Sequence, residues 1–293
     1  MFLGARTKFE FEVFMKRYKF LICLCATLLL PACEKPDHVS VSGSTTVLPV
    51  ISKAADSYSA LHGQSIIVNA GGSGAGFNQL AEGQTDIGMM SRDITASELE
   101  KFSSIDFEVI AIGTDAVVPV VSSEIYDAGV TSLSFDDITK IYKGEIDNWA
   151  NFGGPDMEIL VIDKEASSGT RHTFMEFVMG DKNASAPGAD LVLGANNEEQ
   201  TALTQSDSAI GMLSHAWIND DVKGIAITRS DSSQAIEPTL TNIQNGTFPI
   251  TRALNIVIRS DSDPATRDFV NYILSPEGQK HVISSGYVPR AAQ

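Results

Sequence analysis

Cysteine is nearly missing from this chain: of 293 residues only Cys23, Cys25 and Cys33 are cysteines, all in the first 33. A mature protein beginning at Cys33 has no second thiol, so no disulfide can form within it. Five histidines, with no H-x-x-x-H spacing and no Cys pair beyond residue 33, supply no metal site, so no metal and no cofactor are expected. Basic residues are also few: 21 against 37 acidic ones give a net charge of −16, with no long basic run after the first 20 residues, which excludes nucleic acid as a partner. Neither a G-x-G-x-x-G turn nor a P-loop is present, which disfavours a nucleotide ligand. What remains is ordinary globular material, 43% apolar and 20% charged, of a length that suits two domains.

Long apolar runs are lacking too. The longest at the N-terminus, Phe20 to Leu30, has 11 residues, too short to cross a hydrocarbon core of about 30 Å as a helix. It follows the cations Lys16, Arg17 and Lys19 and ends in Leu30-Pro31-Ala32-Cys33, the layout of a secretory signal peptide over residues 1–32. Met15 is a second candidate start, because the signal is complete from there. Removal of residues 1–32 leaves 16 basic and 35 acidic residues, a net charge of −19.

Beyond a short polar stretch the chain alternates strand-like runs with amphipathic helical segments, which predicts an α/β fold. Strands are expected at Val39–Ser42, Ser65–Asn69, Asp86–Met90, Ile159–Ile162, Ala209–Leu213, Gly224–Thr228 and Leu254–Ile258. The first helix should bury Val47, Ile51, Ala54, Tyr58 and Leu61 and stop at Gly63. Thr95 with Glu98, and Ser134 with Asp137, have capping spacing; Gly180 stops the helix after Ser168, and Pro264 and Pro276 open two more helices. The apolar runs Phe107–Ile112 and Val117–Val121 are separated by Gly113 and Asp115, a break that suits a crossing between domains.

Three segments place glycine and small hydroxyl residues where a strand yields to a helix: Gly43–Thr46, Gly72–Gly76 and Ser167–Thr170. Free N–H groups and the positive end of the helix dipole make such a start an anion site, and hydroxyls add donors. One such start alone is more often a simple cap or turn. Three converging starts would wrap a tetrahedral oxyanion. A serine hydrolase is the rival reading, since Gly71, Ser73 and Ala75 approximate G-x-S-x-G without its last glycine, and His172, His215 or His281 could supply a base.

At these residues the chain resembles the phosphate-binding lipoproteins of bacterial high-affinity phosphate ABC transporters. The resemblance covers almost the whole mature chain, through GSTTVLPV from Gly43, GGSGAGFNQL from Gly71, TDIGMMSRDI from Thr85, LSFDDITKIYKGEIDNW from Leu133, SSGTRHTF from Ser167, AIGML from Ala209 and LSPEGQKHVISSGYVP from Leu274. Leu30 to Cys33 resembles the lipobox, in which the cysteine is acylated and becomes the first mature residue; Pro31 is an unusual occupant.

The resemblance implies a two-lobed, type II periplasmic-binding-protein-like α/β fold: lobe I from residues 33–114 and 253–293, lobe II from 115–252, with the anion in the cleft. It implies a non-enzymatic, monomeric receptor that binds inorganic phosphate and passes it to the permease subunits, lipid-anchored through Cys33 in the periplasm or on the cell surface. Thr45 and Thr46, Ser73, and Ser168, Gly169 and Thr170 are the implied donors. Two positions depart from the best-known pattern. Lys164 stands where many relatives have arginine, and Ser91 followed by Arg92 where many have aspartate, although other relatives carry Ser-Arg. Lysine is a point charge where arginine is a planar fork, and Arg92 and Arg171 are candidates to restore that fork. Serine in place of aspartate leaves open how the proton on phosphate is sensed, and so the discrimination from sulfate. The open alternatives are another tetrahedral oxyanion, such as sulfate, molybdate or tungstate, and a phosphate-binding sensor or adhesin without transport.

Overall fold

The structure, a computed structural model, describes residues 38–228 and 234–290. The signal segment and Cys33 lie outside the described residues. The strands are β1 (His38–Gly43), β2 (Ser65–Ala70), β3 (Ile87–Met90), β4 (Phe107–Ser122), β5 (Ser132–Ser134), β6 (Leu160–Lys164), β7 (Leu191–Leu193), β8 (Ala209–Ser214), β9 (Val222–Gly224), β10 (Ala226–Thr228), β11 (Ala235–Ile236), β12 (Thr251–Arg259) and β13 (Val288–Pro289). The helices are α1 (Leu48–His62), α2 (Ser73–Ala81), α3 (Ala96–Lys101), α4 (Ser123–Asp127), α5 (Phe135–Tyr142), α6 (Gly169–Met179), α7 (Asn196–Thr204), α8 (Leu240–Gln244), α9 (Pro264–Leu274) and α10 (Pro276–Ser284). None is long and apolar enough to cross a membrane.

The mixed α/β expectation holds. The main sheet runs β2-β1-β3-β12-β4-β8-β6-β7, with β9 and β13 also on β4, while β5, β10 and β11 form a small second sheet. Strands β1, β2 and β3 pair in parallel, as do β6, β7 and β8. Between these halves β12 and β4 run antiparallel, and they join two hydrophobic cores. One core holds Val41, Ile51, Ile87, Ile256, Phe269 and Tyr287. The other holds Val120, Ile141, Trp149, Ile162, Phe174 and Leu213. The fold is thus two-lobed, and α9, α10 and Tyr287 return the chain's end to the first core.

Most elements lie where the pattern puts them, and the differences have physical causes. The expected break at Gly113 and Asp115 is absent, because β4 is one strand of 16 residues. Asp115 is tolerated mid-strand because its cross-strand neighbour on β12 is Arg252, and the two form an ion pair at 2.7 Å. The irregularity falls one step away, where the register shifts between Leu254 and Asn255 and Ile112 is left over as a bulge. Leu61 faces solvent at 67% exposure, since α1 buries only as far as Tyr58 and its last turn, closed by Gly63 N–H donating to the Ser59 carbonyl, extends past the core. The run 224–228 is split: Ile225 donates to the Pro119 carbonyl, and the chain leaves β4 for the second sheet.

Candidate functional site

Four strand ends point at one another, each followed directly by a helix start. β1 leads into Ser44, Thr45 and Thr46 before α1; β2 into Gly71 and Gly72 before α2; β6 into Ser167 and Ser168 before α6; β7 into Gly194 and Ala195 before α7. The first two come from one lobe and the last two from the other. Close approach in the first lobe depends on glycine. Gly43 has φ of +136°, and a Cβ on Gly76 would lie 2.6 Å from both the Gly43 Cα and the Ser42 carbonyl oxygen.

The result is a compact set of hydroxyls. Ser44, Thr45, Thr46, Ser73, Ser91 and Thr170 are each at most 8% exposed. Ser44 Oγ donates to Ser91 Oγ at 3.0 Å, Ser73 and Ser91 hydroxyls lie 3.3 Å apart, and Ser91 N–H donates to Ser73 Oγ at 3.1 Å. Across the cleft Thr46 and Thr170 hydroxyls approach to 3.5 Å, and Gly74 N–H donates to the Ser167 carbonyl at 3.3 Å. Gly169 is packed so tightly that a Cβ there would meet Ser91 Oγ at 2.5 Å and Ser73 Oγ at 2.7 Å. Ser168 caps α6: its oxygen accepts from Arg171 N–H at 3.4 Å, and its proton stays available to a further acceptor.

The cations distribute themselves differently from the sequence expectation. Arg92 forks onto Glu98 at 2.7 and 2.8 Å. That carboxylate also completes the α3 capping box with Thr95, and against the raising effect of its burial these donors hold its pKa below the ordinary value. Arg171 donates through Nε to Asp163 at 3.0 Å and through Nη2 to the Ala184 carbonyl. Burial is the largest influence on Asp163 and raises its pKa, against the pull of Arg171. Lys164 is paired with Glu199 at side-chain exposures of 1% and 0%, and its ammonium also reaches the Ala195 carbonyl beside α7. Burial likewise raises the pKa of Glu199, with Lys164 opposing it. All three cations of the sequence reading are therefore held by carboxylates.

The guanidinium that touches the hydroxyl set is Arg252. Its Nη2 donates to Thr46 Oγ1 at 3.1 Å and its Nη1 to the Ser91 carbonyl at 3.3 Å, while Nε and Nη2 hold Asp115. Burial raises the Asp115 pKa, and Arg252 and the Ser214 hydroxyl oppose that rise. Sequence reasoning missed Arg252 because it stands in an apolar strand with no motif around it. It also missed Asn196, 1% exposed, whose Nδ2 donates to Thr46 Oγ1 at 3.0 Å and Thr45 Oγ1 at 3.3 Å. Tyr287 was overlooked as well; its hydroxyl donates to the Thr46 carbonyl at 2.7 Å and so fixes that helix start. Beside the set lies a cavity of about 240 Å³ lined by Arg92, His172, Lys182, Arg252 and Asn255 among others.

Chemically this is a donor-rich cage drawn from both lobes, with one shared cation among the described residues. No histidine bonds to Ser73 among the described residues: His172 Nε2 faces the Ala166 carbonyl, His281 faces Tyr272 and the buried His215 Nδ1 has no hydrogen-bond partner, so the hydrolase reading lacks its base. Comparison with known proteins gives the family. The PBP superfamily domain matches residues 31–277. The chain belongs to that superfamily. A relative from Bacillus subtilis (strain 168), named phosphate-binding protein PstS, is 30% identical over 253 residues, which is 86% of this chain and 80% of the relative. Among solved structures, a phosphate ABC transporter substrate-binding protein of Clostridium perfringens with bound phosphate superposes with a TM-score of 0.77 at 28% identity, covering 87% of this chain and all of that one. An ABC-type phosphate transport receptor of Vibrio cholerae gives a TM-score of 0.67 at 31% identity, covering 86% and 100%.

Proposed function

We propose that this protein is an extracytoplasmic receptor that encloses inorganic phosphate between its lobes and delivers it to the permease of an ABC transporter. It binds and hands over; it is not an enzyme. The observation that carries this reading is the buried cage itself: hydroxyls and helix-start N–H groups from two lobes, with Arg252 as the cation in contact. A net charge of −16 repels anions at long range, so local donors must supply the affinity. The PstS name of the relative and the phosphate-bound structure from Clostridium perfringens support phosphate as the anion.

In this proposal lobe I comprises residues up to 114 and from 253, lobe II residues 115–252, and β4 and β12 are the crossings. Calorimetric titration with phosphate, sulfate, molybdate and tungstate tests the ligand. One phosphate per chain, bound more tightly than the other three, is expected; tighter sulfate, molybdate or tungstate binding overturns the assignment. The protein is further proposed to be monomeric and anchored through acylated Cys33. Mass spectrometry of membrane-extracted protein should show a diacylglyceryl Cys33 as the first residue, and an unmodified Cys33 there contradicts the anchor.

A further inference from the structure

Asn196 carries an acceptor that nothing satisfies. Its side chain is 1% exposed, and its Oδ1 is buried with no hydrogen-bond partner. A buried amide oxygen left unpaired costs about as much as a lost hydrogen bond, so such an atom calls for an explanation. Thr45 Oγ1 already accepts from Asn196 N–H, and Thr46 Oγ1 accepts from Arg252 Nη2. The Asn196 NH2 donates to both threonine oxygens as well, and the amide carbonyl oxygen is left unused. Asn196 bridges the lobes, from the start of α7 to the hydroxyls at the start of α1, so its unpaired oxygen sits on the residue that joins the two sides of the cage.

We infer that Asn196 Oδ1 is the group that accepts the proton carried by the bound anion, and so is a specificity-determining atom of this site. The inference rests on the phosphate-binding reading above. At neutral pH phosphate retains at least one P–OH and sulfate retains none. A lone acceptor inside a donor cage is matched by a protonated oxyanion and faces a bare lone pair on an unprotonated one. The two acids near enough in sequence to take this role are engaged elsewhere or outside. Asp163 accepts from Arg171 and from Lys164 N–H, and Asp93 is exposed. Because the acceptor is a neutral amide, it rewards the proton without the like-charge penalty that a carboxylate would impose on sulfate. Ser91, whose oxygen is taken up with Ser44 and Ser73, is not required for it.

The test is the ratio of sulfate to phosphate dissociation constants at one pH, in the parent protein, Asn196→Ala and Asn196→Asp, with arsenate as a second protonated anion. Removing the amide also removes its donation to Thr45 and Thr46, but that loss weakens both anions alike and cancels in the ratio. Asn196→Ala should lower the ratio about tenfold, the effect of one hydrogen bond to a charged ligand. Asn196→Asp, near-isosteric and able to carry the test alone if the alanine variant does not fold, should raise the ratio through repulsion of sulfate. Arsenate should move with phosphate in both. A ratio unchanged in the aspartate variant, or equal weakening of all three anions in the alanine variant, overturns the inference and leaves Asn196 as a positioning residue only. A parent protein that binds sulfate but no phosphate overturns the function proposed above, a separate outcome.

Discussion

His172 shows how a single side chain sets a pH limit. It is 8% exposed, its Nε2 lies 2.9 Å from the Ala166 carbonyl, and burial, with Arg92 nearby, lowers its pKa from 6.5. A depressed folded pKa means that the unfolded chain takes up the proton first. The stability that neutral His172 contributes is therefore complete above pH 6.5 and is lost as pH falls through the lower folded value. Thermal unfolding from pH 7.5 to 5 should show stability falling, and His172→Gln should flatten that fall; an equal slope in the variant contradicts the assignment. The histidine gave no such signal in sequence, where it was only one base among three. Arg252 was equally silent, because its role depends on a cross-strand pairing with Asp115 that no local pattern encodes. By contrast Thr46, Ser73 and Thr170 were legible, because small hydroxyls at strand-to-helix turns have a local physical reason to be there.

Helix starts are the working parts at the scale of elements. The capping pairs Thr95–Glu98 and Ser134–Asp137 were readable from spacing alone, and both capping boxes form. The start of α7 was not, because Gly194-Ala195-Asn196 has no hydroxyl and its cap comes from Glu198 accepting Gly194 and Ala195 N–H at 3.0 Å. Lys164 was expected to face the anion, yet its partner Glu199 lies 35 residues further on, on that unrecognised helix. The start of α6 offers the sharpest test of how the elements meet. Gly169→Ala places a methyl against Ser73 and Ser91 across the cleft, 2.7 and 2.5 Å from their hydroxyl oxygens. Such overpacking costs about 1 to 3 kcal/mol, here charged to the closed arrangement, so phosphate affinity should fall about tenfold or more. Calorimetry giving the parental affinity would show that α6 and α2 need not approach this closely to bind.

On the scale of the molecule, two lobes share one sheet through β4 and β12, and the cage is complete only where both contribute. The two-lobed architecture was legible from alternating strands and helices together with family resemblance, whereas the continuity of β4 through Asp115 had to be seen. In the proposed function, buried donors from both lobes, rather than a basic surface, hold the anion in a strongly acidic protein. The direct measurement is calorimetric phosphate titration of the parent, Ser73→Ala and Thr170→Val, one donor from each lobe, at low and at physiological salt. One phosphate per chain is expected, with roughly tenfold or greater weakening in each variant and only a mild change with salt, since a buried site is poorly screened. Parental affinity in both variants, or binding that collapses with salt, would contradict it.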